Sequence, residues 1–168
     1  TDALEGAERT PGFGTMLLQV LQQVQQPEVQ QAAAIYLKNY VRRNWDIAAD
    51  QGGVADADRK TIKQHLLTMM LAAARPIQVQ LSAAVALVAK ADFPGDWKTL
   101  VPELVEKCKS DQLSVMKGAM ETAHSVFEKY RSEGRSEALL REIKFSVVEP
   151  FQETHLLVFK GCMAKIGA

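Results

Sequence analysis

Apolar residues recur at steps of three and four along most of the chain. Between residues 12 and 26 they are Phe13, Met16, Leu17, Val20, Leu21 and Val24, one face of a 3.6-residue helix. Pro27 ends that run, because its ring removes an amide donor. A second stripe, Val29, Ala33, Tyr36, Leu37 and Tyr40, reaches Asn44. Gly52-Gly53 marks a loop. Asp56-Ala57-Asp58 is placed to cap a third helix, with Ile62, Leu66, Met69 and Ala73 facing inward. Pro76 suits the first turn of a fourth, with Ile77, Leu81, Ala84, Val85 and Val88 in register. Asp92-Phe93-Pro94-Gly95 reads as a turn. Trp97, Leu100, Val101, Leu104, Val105 and Cys108 form the next stripe, with Pro102 too early in it to break a helix. Asp111 is positioned to cap a longer helix with Leu113, Met116, Met120, Ala123, Phe127 and Tyr130 facing in, ended by Gly134. Ser136 opens a last segment with Leu139, Leu140, Ile143 and Val147, which Pro150 should kink or divide. Strand signals are nearly absent.

The helices pair. The first member of each pair begins near residues 12, 57, 96 and 135, a period of roughly 40–45 that matches helix-hairpin repeats of HEAT and armadillo type. The expected fold is all-α, an α-α superhelix (HEAT-repeat solenoid) of about three to four helical hairpins. The pairs are about 12–45, 57–91, 96–131 and 135–168, with 1–11 the remnant of a preceding repeat. A start without Met and an end at Ile166-Gly167-Ala168 point to an N-terminal fragment of a longer solenoid.

Composition narrows the function classes. Of 168 residues, 47% are hydrophobic and 24% charged, which suits a packed domain rather than a disordered segment. Lys plus Arg and Asp plus Glu are each 20, so no net charge draws the chain to nucleic acid. No run approaches the apolar length that a membrane helix needs. Cys108 and Cys162 make no disulfide framework or zinc spacing.

Motifs for chemistry are missing. His65, His124 and His155 are scattered, and no HExxH, GxxxxGK[ST] or GxGxxG occurs. Gly12-Phe13-Gly14 opens a helix but reads as a turn. Glu103 and Glu106 belong to a solvated face. Cys108 lies on an apolar stripe, where a thiol packs rather than reacts. The expectation is a binding protein without catalytic site, metal or cofactor.

The sides opposite the stripes are more informative. On helix 28–44 they carry Gln31, Ile35, Lys38 and Arg42, with Asn39 beside them. On helix 76–90 they carry Val79, Ala83, Ala86, Leu87 and Lys90. On helix 113–131 they carry Val115, Gly118, Thr122, Ser125 and Lys129. Exposed sides that mix small, apolar and basic residues fit a protein-binding surface. Lys38, Arg42, Lys90 and Lys129 would supply charge, and Ala83, Ala86, Gly118 and Thr122 would let a partner approach closely.

Particular stretches resemble a known family. Ala32-Ala33-Ala34-Ile35-Tyr36-Leu37-Lys38-Asn39, followed by Trp45, resembles the "AA..LKN" and tryptophan signature of the N-terminal domain of importin-β-superfamily transport receptors. Asp92-Phe93-Pro94-Gly95-Asp96-Trp97, followed by Leu100, resembles that superfamily's "D.P..WP.L" turn, with Lys98 where many members have proline. Lys117 to Arg131 and Ser136 to Lys144 are similar to the importin-α re-exporters within it. The likeness runs from about Gly12 to about Lys160.

The resemblance implies an exportin whose second helices line a concave surface. That surface would grip the small GTPase Ran in its GTP form, with importin-α as cargo carried from nucleus to cytoplasm. Nuclear pore proteins are further partners, and the receptor shuttles between the two compartments as a monomer. Here the concave helices are 28–44, 76–90 and 113–131, so the side chains chosen above by helical facing fall where the family places its Ran site. The alternatives are another importin-β-type import or export receptor, or a HEAT-repeat scaffold indifferent to Ran.

Overall fold

The computed structural model describes residues 6–166, with the side chains at 161, 162 and 164–166 left aside. Residues 1–5 of the expected repeat remnant, the side chain of Cys162 and the last two residues lie outside that description. The chain divides into two compact units, Thr1–Ala91 and Asp92–Ala168. The described residues are helices joined by turns, with no strand among them.

The first unit holds a helical turn at residues 6–8, then α1 (Phe13–Gln23), α2 (Pro27–Asn44), a 3-10 turn (Ala49–Gln51) and α3 (Asp56–Ala72). α4 (Arg75–Asp92) closes it, its final residue being the first of the second unit. α1 packs against both α2 and α3. Phe13 sits edge-on to Tyr36 and Tyr40, with ring centroids 5.9 and 5.2 Å away. At Gly14 the helices come so close that a Cβ would lie 2.9 Å from Ile62 Cδ1, so only glycine fits without a shift. Leu37, Tyr40, Val41, Ile62, Leu66, Leu67 and Met70 are buried around this contact. On α4 all five residues of the expected stripe, Ile77, Leu81, Ala84, Val85 and Val88, are buried.

Asp58 does not cap its own helix. α3 starts after Ala55 with no side-chain cap. Buried Asp58 instead accepts from the Gly12 amide at 2.9 Å and from Thr15 Oγ1 at 2.6 Å. It thereby ties the start of α1, through one backbone amide and one hydroxyl, to an element distant in sequence. Gly12, at φ 93°, turns the chain into that position.

Arg59 fixes the loop between α2 and α3. Its guanidinium donates to the carbonyls of Val54 at 3.0 Å, Ile47 at 2.9 Å and Trp45, and it lies 5.0 Å from the centroid of the Trp45 ring. A third tie runs from Glu8, a buried carboxylate that accepts from Tyr36 Oη at 2.8 Å, Asn44 Nδ2 at 3.0 Å and Arg43. Burial alone would raise the Glu8 pKa. The hydrogen bonds from Arg43, Tyr36 and Asn44, with the guanidinium charge, outweigh it and hold the carboxyl below its ordinary value.

The second unit contains α5 (Leu100–Cys108), α6 (Leu113–Phe127), a 3-10 turn (Glu128–Arg131), α7 (Glu137–Ile143), a π-helical turn (Lys144–Val148) and α8 (Glu149–Ile166). α5 packs against α6 and α8. Trp97, Leu100, Val101, Leu104, Val105 and Cys108 are buried, as their stripe predicts, and Phe93 of the preceding turn is buried with them. Burial pushes the Cys108 thiol up to about 11, so it stays protonated and unreactive. Ser136 is the expected cap, its Oγ accepting from the Leu139 amide at 3.1 Å. Asp111 is not a cap, because α6 begins after Gln112 with no side-chain cap. Pro150 neither divides nor ends the last segment. The π turn directly before it widens the helix where the ring would otherwise clash, and α8 continues. Leu140, Phe145, Val148, Leu156, Leu157 and Phe159 are exposed along this stretch.

The inward side of α6 differs from the sequence reading. Gly118, Ala119, Thr122, Ala123 and Val126 are buried, whereas Leu113 is 59% exposed. Met120 and Phe127 instead line an open groove with Val147, Val148 and Phe151. Phe127 meets Phe151 edge-on there at 5.6 Å. Small residues let α6 approach its neighbours closely, and the large ones occupy the wider gap beside it.

Candidate functional site

The expected face is open on two helices and closed on the third. On α2, Gln31, Ile35 and Arg42 are exposed, while Lys38 and Asn39 are half-buried. On α4, Val79 and Lys90 are exposed and Ala83, Ala86 and Leu87 are half-buried. Their helical spacing puts each set on one side of its helix. The two helices are tied on that side by Lys38 Nζ, which donates to Gln80 Oε1 at 2.8 Å. Ile35 and Val79, 36% and 47% exposed, give the face its apolar content.

On α6 and the turn after it, five residues were expected to be exposed; Val115 is half-buried and two others are buried outright. Thr122 has no exposed surface and Gly118 is buried, so neither can touch a partner. The cause is the rotation of α6 described above. Ser125 is half-buried and its hydroxyl donates to the Glu121 carbonyl at 3.1 Å. Lys129 is committed inside the second unit. It donates to the Phe93 carbonyl, lies 4.0 Å from Glu142, and sits 5.3 and 5.0 Å from the Phe93 and Tyr130 ring centroids. Its side chain is 15% exposed. Beside it, Tyr130 donates to Glu142 at 2.6 Å. Burial, then that carboxylate, pushes the Tyr130 phenol far above its ordinary value.

The remaining face is cationic and small-featured. Lys38, Arg42 and Lys90 lie within the first unit, and none forms an ion pair among the described residues. Arg43, next to Arg42, points elsewhere and is neutralised by Glu8. Tyr40, buried on α2, stays neutral. Burial, with the charges of Asp58 and Glu8 adding to it, pushes Tyr40 up to about 12. Two residues that brace this region were not singled out in the sequence, Gln80 and Arg59. The signal for Gln80 is an amide one turn before Ala84 in an otherwise apolar run. Arg59 left no signal, since its partners are backbone carbonyls.

No group of three or more His, Cys, Asp or Glu residues among the described ones is arranged to hold a metal ion. No described helix is long and apolar enough to cross a membrane. The chemistry open to the α2 and α4 face is recognition by shape and charge.

Comparison with known proteins gives this face a context. Residues 1–72 match the model of the Importin-beta N-terminal domain. Exportin-2 of Danio rerio is 35% identical over 159 residues, 94% of this chain and 16% of that protein. Exportin-2 of Drosophila melanogaster is 40% identical over 146 residues, 84% of this chain and 15% of that protein. Among solved structures, the exportin Cse1 in its cargo-free, cytoplasmic state superposes with a TM-score of 0.83 at 30% identity, covering 95% of this chain and 17% of that one. The all-α fold is therefore that of a HEAT-type exportin. The chain spans about a sixth of the length of the curated relatives it matches.

Proposed function

We propose, from its kinship with the Exportin-2 proteins of the importin-β superfamily, that this chain forms part of a nuclear export receptor that binds Ran in its GTP form through α2 and α4. Importin-α is the cargo, and the receptor shuttles between nucleus and cytoplasm past the nuclear pore proteins. The chain binds and does not catalyse. Its residue pairs 12–45, 57–91, 96–131 and 135–168 act as HEAT-type repeats that hold the binding helices in place.

The observation that carries this reading is the α2 and α4 face, open, partly apolar and bearing cations without carboxylate partners. Its contacts are Gln31, Ile35, Lys38, Asn39, Arg42, Val79, Ala83, Ala86 and Lys90. Ser125, in the second unit, stays a candidate contact. Gly118 and Thr122 are withdrawn as contacts, and Lys129 serves the second unit's own packing.

The switch segments of a GTPase are ordered by the γ-phosphate. A rigid pair of helices that fits the ordered form discriminates through the difference in binding free energy between the two forms. Cargo enters by reciprocity: whatever affinity the GTPase adds for importin-α, importin-α adds for the GTPase. The test is binding of the chain to Ran loaded with a non-hydrolysable GTP analogue or with GDP. Retention of the first alone is expected, and equal retention of both removes the reading. Charge reversal at Arg42 should weaken binding while the circular dichroism spectrum stays unchanged.

A further inference from the structure

We infer that Gln80 is a positioning residue that fixes the Lys38 ammonium between α2 and α4 for an acidic group of the GTP-bound partner. The inference rests on the reading above and deepens it.

The Gln80 amide oxygen accepts from Lys38 Nζ at 2.8 Å, across two helices and 42 residues of sequence. Both side chains are half-buried. No carboxylate among the described residues pairs with Lys38. An ammonium has three donors, and one neutral acceptor leaves two of them and the whole charge available. A lysine on a flexible stem would lose rotamer freedom on binding, and holding it beforehand reduces that loss. The acceptor type is what matters. Glutamate at this place would hold the ammonium equally well but cancel its charge, as Glu8 does for Arg43. Glutamine combines a fixed position with an undiminished charge. A partner that meets a fixed, uncancelled cation flanked by Ile35 and Ala83 presents a carboxylate set in an apolar surround.

The experiment measures the affinity of the chain for Ran loaded with a GTP analogue, across salt concentrations. The variants are Lys38→Met, Gln80→Leu, Gln80→Glu and the double variant Lys38→Met with Gln80→Leu. Lys38→Met should weaken binding about tenfold and flatten its salt dependence, as loss of a paired interface charge does. Gln80→Leu should weaken it about threefold by freeing the lysine. Gln80→Glu should approach the Lys38→Met loss, because the charge is then cancelled in place. In the Lys38→Met background Gln80→Leu should add nothing. An equal Gln80→Leu loss in both backgrounds would mean that Gln80 acts by packing, and overturns the inference. So does a Lys38→Met loss with Gln80→Leu unchanged, an outcome that leaves the family reading intact. If the unaltered chain binds neither nucleotide form, the Ran-binding reading fails and the inference falls with it.

Discussion

Helices α2 and α6 carry similar material on the side away from their large apolar residues: small or β-branched side chains, a hydroxyl or amide, and a lysine. In the fold they part company. α2 keeps Ile35 and Arg42 in solvent and holds Lys38 through a neutral amide. α6 turns Gly118 and Thr122 into the interior, and Lys129 beyond it bonds to the Phe93 carbonyl. Small residues thus signal close approach without saying whether the approaching body is a partner or a neighbouring helix. What separates the two is the fate of the cation, left without a counter-charge on α2 and consumed locally after α6.

The contrast can be broken by substitution. Asp58→Ala strips two bonds from the start of α1 and leaves the Gly12 amide unsatisfied; we expect a stability loss of about 2 kcal/mol in urea unfolding. Thr122→Leu forces volume into a closed site and should cost a similar amount, about 2 kcal/mol, with binding altered only through the folded fraction. Ala83→Leu on α4 should do the reverse, changing stability by no more than about 0.5 kcal/mol while obstructing the partner. If Thr122→Leu were stable and Ala83→Leu unfolded the chain, the two helices would have been assigned the wrong way round.

Smaller effects sharpen the comparison. Lys129→Met should lower the unfolding free energy by about 1 kcal/mol and leave Ran affinity unchanged. Arg42→Met should leave the midpoint alone and lower the affinity. Ser136→Ala, loss of a single cap in the second unit, should cost about 1 kcal/mol. The smallest effect appears only in acid. The Glu8 carboxyl is held below its ordinary value of 4.5. It therefore contributes stability above that pH and loses the contribution as pH falls through its folded value. Glu8→Gln should flatten the acid limb of a stability-against-pH curve, and an unchanged limb would place the acid sensitivity elsewhere.

Much of this was readable from the chain, and the failures share a cause. The α4 stripe came through intact because its large aliphatics all face one way. Leu37-Lys38-Asn39 and Trp45 carried the likeness to the importin-β superfamily, and helical facing alone picked out the α2 side chains. In α6 the hydrophobic ranking misled: Met120 and Phe127 outrank Gly118 and Ala119 in apolar area, yet Gly118 and Ala119 are buried while the large pair lines a groove. Periodicity locates a stripe by size and cannot see that a tight helix contact selects for smallness. Asp58 was read as a local cap because sequence displays only neighbours, and its acceptors serve a helix more than forty residues earlier. The Lys38 and Gln80 pairing was hidden for the same reason.

The Arg59 clasp has a consequence for how this region can vary. Its guanidinium reads the carbonyls of Trp45, Ile47 and Val54, which every amino acid possesses, rather than any side chain in between. Residues 46–51 are therefore free to drift in identity, whereas Gly52, at φ 90°, and Gly53, where a Cβ would fall 1.9 Å from the Ile47 oxygen, are not. The number of residues is held more strictly than their kind. One inserted amino acid would pull three oxygens out of convergence, so lineages diverging here should swap letters freely and keep the spacing.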